Sequence, residues 1–147
     1  MLRDWSVRNA RFLEIFYNLF EKVLIKLHPL WNFIGYQRVE RPVAVFEKAV
    51  KGMLFDCQMC GNCVLSSTGM SCPMNCPKNI RNGPCGGVGV NGECEVDSSM
   101  TCVWVRAWEG SQRMKANKIE DHQLILDWSY KGKSSWLRVA KKNTKNI

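Results

Sequence analysis

The sequence has no cysteine in its first 56 residues and none in its last 45. It has no apolar run near the roughly 18 uninterrupted residues that a membrane-spanning helix needs. Residues 1–30 carry an apolar face, but Glu14, Glu21 and several lysines and arginines interrupt it. No secretory signal is legible, and Asp4 and Glu14 run against an organellar transit peptide. There are two histidines, His28 and His122, and no Ser/His/Asp constellation or carboxylate pair stands out. A self-contained active site is therefore not expected. These absences argue against a membrane span and against export. The expected compartment is cytoplasmic, where thiols stay reduced.

What the chain does have is eight cysteines crowded into its middle, at Cys57, Cys60, Cys63, Cys72, Cys76, Cys85, Cys94 and Cys102. Eight thiolates complete two four-sulfur sites with none left over. In a reducing compartment, clustered cysteines read as metal ligands rather than disulfides. The same stretch is short of large aliphatic residues. Val64, Leu65, Ile80, Val88, Val90 and Val96 cannot build much of a core, and chains so placed rely on metals or staples. The formal charge is +8, from 21 basic and 13 acidic residues. Two four-thiolate sites holding dications or 2+ clusters would leave roughly +4. That is a weak argument for nucleic acid, the more so because Lys78 and Arg81 are the basic residues within the cysteine region.

Three stretches follow along the 147 residues. Residues 1–53 read as a helical arm for partner docking. Asp4 or Ser6 is placed to cap its start, and Phe12, Ile15, Phe16, Leu19, Phe20, Val23 and Leu27 recur at three- and four-residue steps. Arg11, Glu14, Asn18, Glu21, Lys22 and Lys26 fall on the other side. Pro29 should end this helix near Leu27 or His28. An apolar patch follows at Leu30, Trp31, Phe33, Ile34 and Tyr36. Pro42 suits the first turn of a second helix, with Val43, Phe46, Val50 and Met53 on one side. Residues 54–108 are the cysteine-rich domain, turn-rich in Gly, Pro, Asn and Ser. Residues 109–147 form a C-terminal extension, with a short helix around 118–128 and a disordered lysine-rich tail from Lys141. The fold class is thus small α plus irregular, organised by two metal centres. The apolar face of the first helix has too little core of its own to cover it, which points to a different subunit; Phe16 and Phe20 are the residues to test.

Cys57, Cys60 and Cys63 stand at two-residue gaps. A tight loop with that spacing sets three sulfurs on three corners of a cubane, and a distant cysteine supplies the fourth. Cys72 and Cys76 are each followed by proline, as ferredoxin ligands are. Zinc is the rival, since it also takes four thiolates. Zinc ribbons, however, favour two separated C-x2-C pairs, a poorer match to an overlapping triple followed by singletons. Both readings stay open on spacing alone. Residues 87–92 match G-x-G-x-x-G letter for letter but lack a strand before and a helix after. They read better as a glycine loop that brings backbone donors to a cofactor. His28 and His122 read as ordinary surface or interface histidines.

The motif string is long. It runs Phe55–Ser66 through the cysteine triple, Cys72–Lys78, Arg81–Gly87, Gly92–Val96 and Cys102–Trp104. Over roughly residues 44–108 it resembles the cysteine-rich C-terminal domain of certain methylenetetrahydrofolate reductases, and in particular a MetV-like small subunit paired with a flavin-bearing, MetF-like barrel subunit. The resemblance implies two [4Fe-4S] clusters, with zinc in one or both sites as the alternative, and puts all eight cysteines on motif positions. It implies an electron-transfer role in one-carbon metabolism, relaying electrons to FMN or FAD on the partner's catalytic subunit, with a further electron-donor subunit as a candidate third component. A zinc-binding scaffold for the same kind of complex is the alternative. Neither a flavin nor a folate pocket of recognisable form is present on this chain.

Overall fold

Helices account for the regular structure in the computed structural model, which describes residues 2–83, 85–120 and 125–144. They are α1 (Arg3–Arg8), α2 (Ala10–Lys26), α3 (His28–Ile34), α4 (Tyr36–Phe55), α5 (Val103–Arg113) and α6 (Ser135–Thr144), with single 3-10 turns at Pro73–Asn75 and Trp128–Tyr130. Among the described residues there is no sheet. Val88 pairs with Cys94, and Glu93 with Thr101, as isolated antiparallel bridges. No described helix is long and apolar enough to cross a membrane.

The helical arm differs from its sequence reading in several places. It is broken at Asn9, whose amide donates to the Trp5 carbonyl at 2.8 Å, a local side-chain bond that competes with helix continuation. Neither Asp4 nor Ser6 caps α1. Leu2 precedes it without a side-chain cap, and the Ser6 hydroxyl donates to Leu54 O at 2.8 Å. Pro29 does follow the end of α2, but a new helix starts at His28, so the apolar patch at 30–34 is itself helical. Pro42 sits inside α4 rather than at its start. Its exposed position lets water reach the Arg38 carbonyl that lacks an amide donor. The helix expected at 118–128 is not formed at 118–120 or 125–127, and residues 121–124, including His122 and Leu124, lie outside the described residues. Lys141 to Thr144, expected in a disordered tail, are the last turn of α6; residues 145–147 lie outside the described residues.

Three clusters hold distant segments together. Ala10 and Leu13 of α2 pack with Phe55, Leu65, Met70, Cys72 and Met114. Leu24 packs with Trp136 and Ala140 of α6, joined by Tyr17, Phe20, Val43 and Val50. The Phe20 ring meets Trp136 edge-on, centroids 4.8 Å apart. Cys102, Trp104 and Ala107 pack with Ile80 and Cys85. Gly69 and Gly110 touch backbone to backbone, and a Cβ on either would collide with the other's segment. This contact seats α5 on the loop that leads to Cys72. The buried side of α2 is therefore Ala10, Leu13, Tyr17 and Leu24, whereas the expected stripe of Phe12, Ile15, Phe16, Leu19 and Val23 is exposed.

Glu14, expected on the polar side, is buried. Its carboxylate accepts from the backbone amides of Lys115 at 2.8 Å and Ala116 at 2.9 Å and from Arg11 at 3.0 Å. Burial alone would raise its pKa. The two amides and Arg11 outweigh that and hold it below the ordinary carboxylate value of 4.5. A depressed folded-state pKa contributes stability that is present above the unfolded value and lost as pH falls through the folded one. Glu14→Gln should lower stability by about 1–2 kcal/mol at pH 7. In thermal melts compared across pH, the gap between variant and parent should close below about pH 4.5.

Candidate metal centres

The first cysteine loop is shaped by its backbone. Asp56 ends α4 in the left-handed conformation, and Met59 and Gly61 are left-handed too, with φ of 54°, 48° and 71°. These three reversals fold Cys57–Cys63 into a compact irregular turn. Cys57, Cys60 and Cys63 then line one cavity together with Cys72, which reaches it from the start of the Pro73–Asn75 turn. Cys72 is the distant cysteine that the fold brings to the triple. Cys60 and Cys72 are buried, and Cys57 and Cys63 are half-buried.

Burial and the neighbouring sulfurs both act on these thiols. Burial pushes the Cys57 thiol up to about 11; the Met59 amide and Lys51 pull it down, and Cys63 and Cys60 push it up. Burial likewise pushes Cys72 up to about 12, with Cys57, Cys63 and Cys60 adding to the rise. Ionising all four sulfurs would concentrate four negative charges around one small volume. Only a positive centre among them makes that state accessible near neutral pH, so the donor set suits a thiolate-bound metal group. Donors to sulfur are in place. The Met59 amide stands 3.4 Å from Cys57 Sγ, and Arg81 Nη1 stands 3.9 Å from Cys60 Sγ.

Two charged side chains that sequence reasoning did not single out complete this cavity: Glu47 and Lys51. Both are fully buried, and Lys51 Nζ donates to Glu47 Oε1 and Ser135 Oγ, each at 2.7 Å. Glu47 also accepts from the Ser134 and Ser135 hydroxyls and from the backbone amides of Ser135 and Trp136, so it caps α6 from α4. Burial would lower the Lys51 pKa; Cys63, Tyr17 and Glu47 more than offset it, and the net direction is upward. The sequence signal was an i,i+4 Glu–Lys pair, which usually sits in solvent.

The other four cysteines occupy the far side of the cysteine region. Cys76 is buried at the end of the 3-10 turn that packs on α5. Cys85 packs against Cys102 and Trp104. Cys94 is bridged to Val88, and the Cys102 amide donates to Gly92 O at 2.8 Å. The glycine-rich stretch 87–92 is thus a tight turn between Val88 and Cys94, and the Gly87 amide stands 3.4 Å from Cys85 Sγ. The structure ties Cys94 and Cys102 through the Val88–Cys94 and Glu93–Thr101 bridges, packs Cys85 against Cys102, and puts Cys76 at the end of the turn that packs on α5, the helix Cys102 precedes. Trp104 covers this region and donates to Ile80 O at 3.0 Å. Among the described residues, no three His, Cys, Asp or Glu side chains form a ready site for a single metal ion. His28 lies apart from both groups, in a hydrogen bond with Tyr36 at 2.5 Å.

The C-terminal segment straps the first loop. Gly132 N donates to Met59 O at 2.8 Å, and Asn62 Nδ2 donates to Asp127 O at 2.9 Å. Arg138 donates to Gly61 O and Asn62 Oδ1 and lies 3.6 Å over the Tyr130 ring. A Cβ on Gly61 would run into the Tyr130 backbone, at a φ that L side chains rarely adopt. Gly61→Ala should therefore cost at least about 2 kcal/mol. A fall in melting temperature of the full chain, larger than that for Gly86→Ala, where a Cβ meets nothing, is the measurement that checks it.

Comparison with known proteins places this arrangement. No curated protein and no solved structure matches the chain. A family model described as "Methylene-tetrahydrofolate reductase C terminal" matches residues 36–129, from the first residue of α4 through the cysteine region and α5. With most of its length under that match and all eight cysteines inside it, the chain belongs to the family of methylenetetrahydrofolate reductase C-terminal domains.

Proposed function

We propose that this chain is the iron–sulfur, electron-relaying subunit of a methylenetetrahydrofolate reductase complex. Cys57, Cys60, Cys63 and Cys72 hold a first [4Fe-4S] cluster, and Cys76, Cys85, Cys94 and Cys102 a second. The observation that carries the reading is the convergence of four cysteines from a triple and a distant Cys-Pro on one cavity with donors aimed at sulfur. Each such cluster supplies the uptake and release of one electron at a time. The chain's own residues hold the thiolates, exclude water with Trp104, Val64 and Leu65, and set the local charge. The FMN or FAD that receives the electrons, and the folate chemistry, belong to the partner's catalytic subunit.

The same reading gives the arm its task. Phe12, Ile15, Phe16, Leu19 and Val23 of α2 are each 45–62% exposed, a continuous apolar row on one helix. We assign it to the flavin-bearing catalytic subunit, because membership of a reductase family supplies that partner and the row lies on the helix whose Tyr17 faces Lys51 and Cys63. Phe20 does not belong to this row, since it packs on Trp136 inside the chain.

Two measurements test the proposal. Anaerobically purified complex should contain about eight iron and as much acid-labile sulfide per copy of this chain, and Cys72→Ala should lose about half. Iron-free material with stoichiometric zinc would leave only the scaffold. Separately, Phe16→Asp combined with Leu19→Asp should abolish co-purification with the flavin subunit while iron content and melting temperature hold. An intact complex after that double change refutes the docking role.

A further inference from the structure

The two cysteine groups sit in different electrical surroundings. Among the described residues, the buried basic side chains are Lys51 and Arg81, and both line the cavity of Cys57, Cys60, Cys63 and Cys72. Lys51 acts on Cys57 and Cys63 through space, and Arg81 reaches Cys60 Sγ. Glu47 offsets part of this charge, but its oxygens are engaged by Lys51, Ser134, Ser135 and the α6 amides. The three side chains together carry a formal positive charge. Around Cys85, Cys94 and Cys102 no charged side chain is fully buried: Glu95 pairs with Lys78 at the surface, Asp97 lies in an exposed turn, Glu93 is half-buried and accepts from the Asn91 amide, and Arg106, one turn past Cys102, has its charge offset by an ion pair with exposed Asp4. Water screens exposed charges, whereas buried ones are screened much less.

From this asymmetry we infer that Lys51, aided by Arg81, makes the first site the stronger electron acceptor of the two, so that electrons run from the Cys76/Cys85/Cys94/Cys102 site to the Cys57/Cys60/Cys63/Cys72 site. The inference rests on the iron–sulfur reading. Adding an electron to a thiolate-bound cluster makes it more negative, and a fixed buried cation stabilises that state more than the oxidised one. In the transfer the second site is oxidised by one electron and the first is reduced by one; no bond changes and no proton moves. The polarity agrees with the docking face, because α2 packs on Cys72 through Ala10 and Leu13, sets its Tyr17 ring 5.9 Å from Lys51 Nζ, and carries its exposed apolar row outward. Electrons would thus leave this chain beside the partner's flavin. Lys51 is a positioning residue, acting through the cluster's charge without being a ligand.

The test is an anaerobic redox titration of the complex, followed by electron paramagnetic resonance and visible absorption. Two separate waves are expected. Lys51→Met should lower the higher wave by at least tenfold in its reduction equilibrium, which is 59 mV for one electron, and leave the lower wave in place. Lys51→Arg should keep the parent value, and Glu47→Gln should move the same wave upward. If Lys51→Met fails to fold, the upward shift in Glu47→Gln, which keeps an acceptor for α6, decides the matter by itself. A single wave, a shift of the lower wave instead, or no shift in an iron-loaded variant overturns this polarity while the iron–sulfur reading stands. An iron-free complex overturns both.

Discussion

Four cysteine sulfurs gathered around one small volume are the constraint from which the rest of the arrangement follows. Sulfurs that hold a metal centre must be thiolates, and burial makes thiolates costly, as the raised Cys57 and Cys72 show. The surroundings answer that cost in three ways. Backbone amides approach sulfur at Met59 and Gly87. A guanidinium approaches Cys60. An ammonium, Lys51, is kept buried and charged by a carboxylate and a serine hydroxyl. Removing water from ionised groups is affordable only when each finds a partner of this kind.

That buried pair also ties function to architecture. Glu47 caps α6 while holding Lys51, so the helix that closes the C-terminal side is fastened by the same carboxylate that orients the cation at the cysteines. Trp136, the second residue of α6, fills the gap between Phe20 and Lys51. Arg138 and Gly132 then hold the backbone of the first cysteine loop. The family match ends at residue 129, yet the strap lies largely beyond it. Residues outside the family's shared segment therefore complete the environment of residues inside it. A loop with three left-handed positions and little core beneath it needs such external bracing.

The arm makes a related point about surface. α2 is apolar around most of its circumference, with one face spent on α6 and the core and another left open. The exposed apolar row thus lies on a helix that also packs on Cys72 through Ala10 and Leu13.

Much of the chemistry was legible in residue order. Cysteine number, the Cys57–Cys63 spacing and the two Cys-Pro steps define the ligand candidates, because chelation by a short loop depends on local spacing. The end of α2 before Pro29 was legible for an equally local reason. Other features were not. Periodicity reports that a helix has apolar faces but cannot rank two of them, so Phe16 and Leu19 were assigned to the same stripe as Phe20, which alone is covered. Glu14 falls on the polar side by periodicity because its partners Lys115 and Ala116 lie 101 and 102 residues on, and nothing near Lys51 in sequence marks it as buried, since Ser135 lies 84 residues on. Sequence by itself determined which atoms are offered to a metal. Tertiary structure alone decided that Cys72 joins the triple and which charges are dehydrated beside it, since dehydration and long-range contact arise only when segments far apart in the chain pack together.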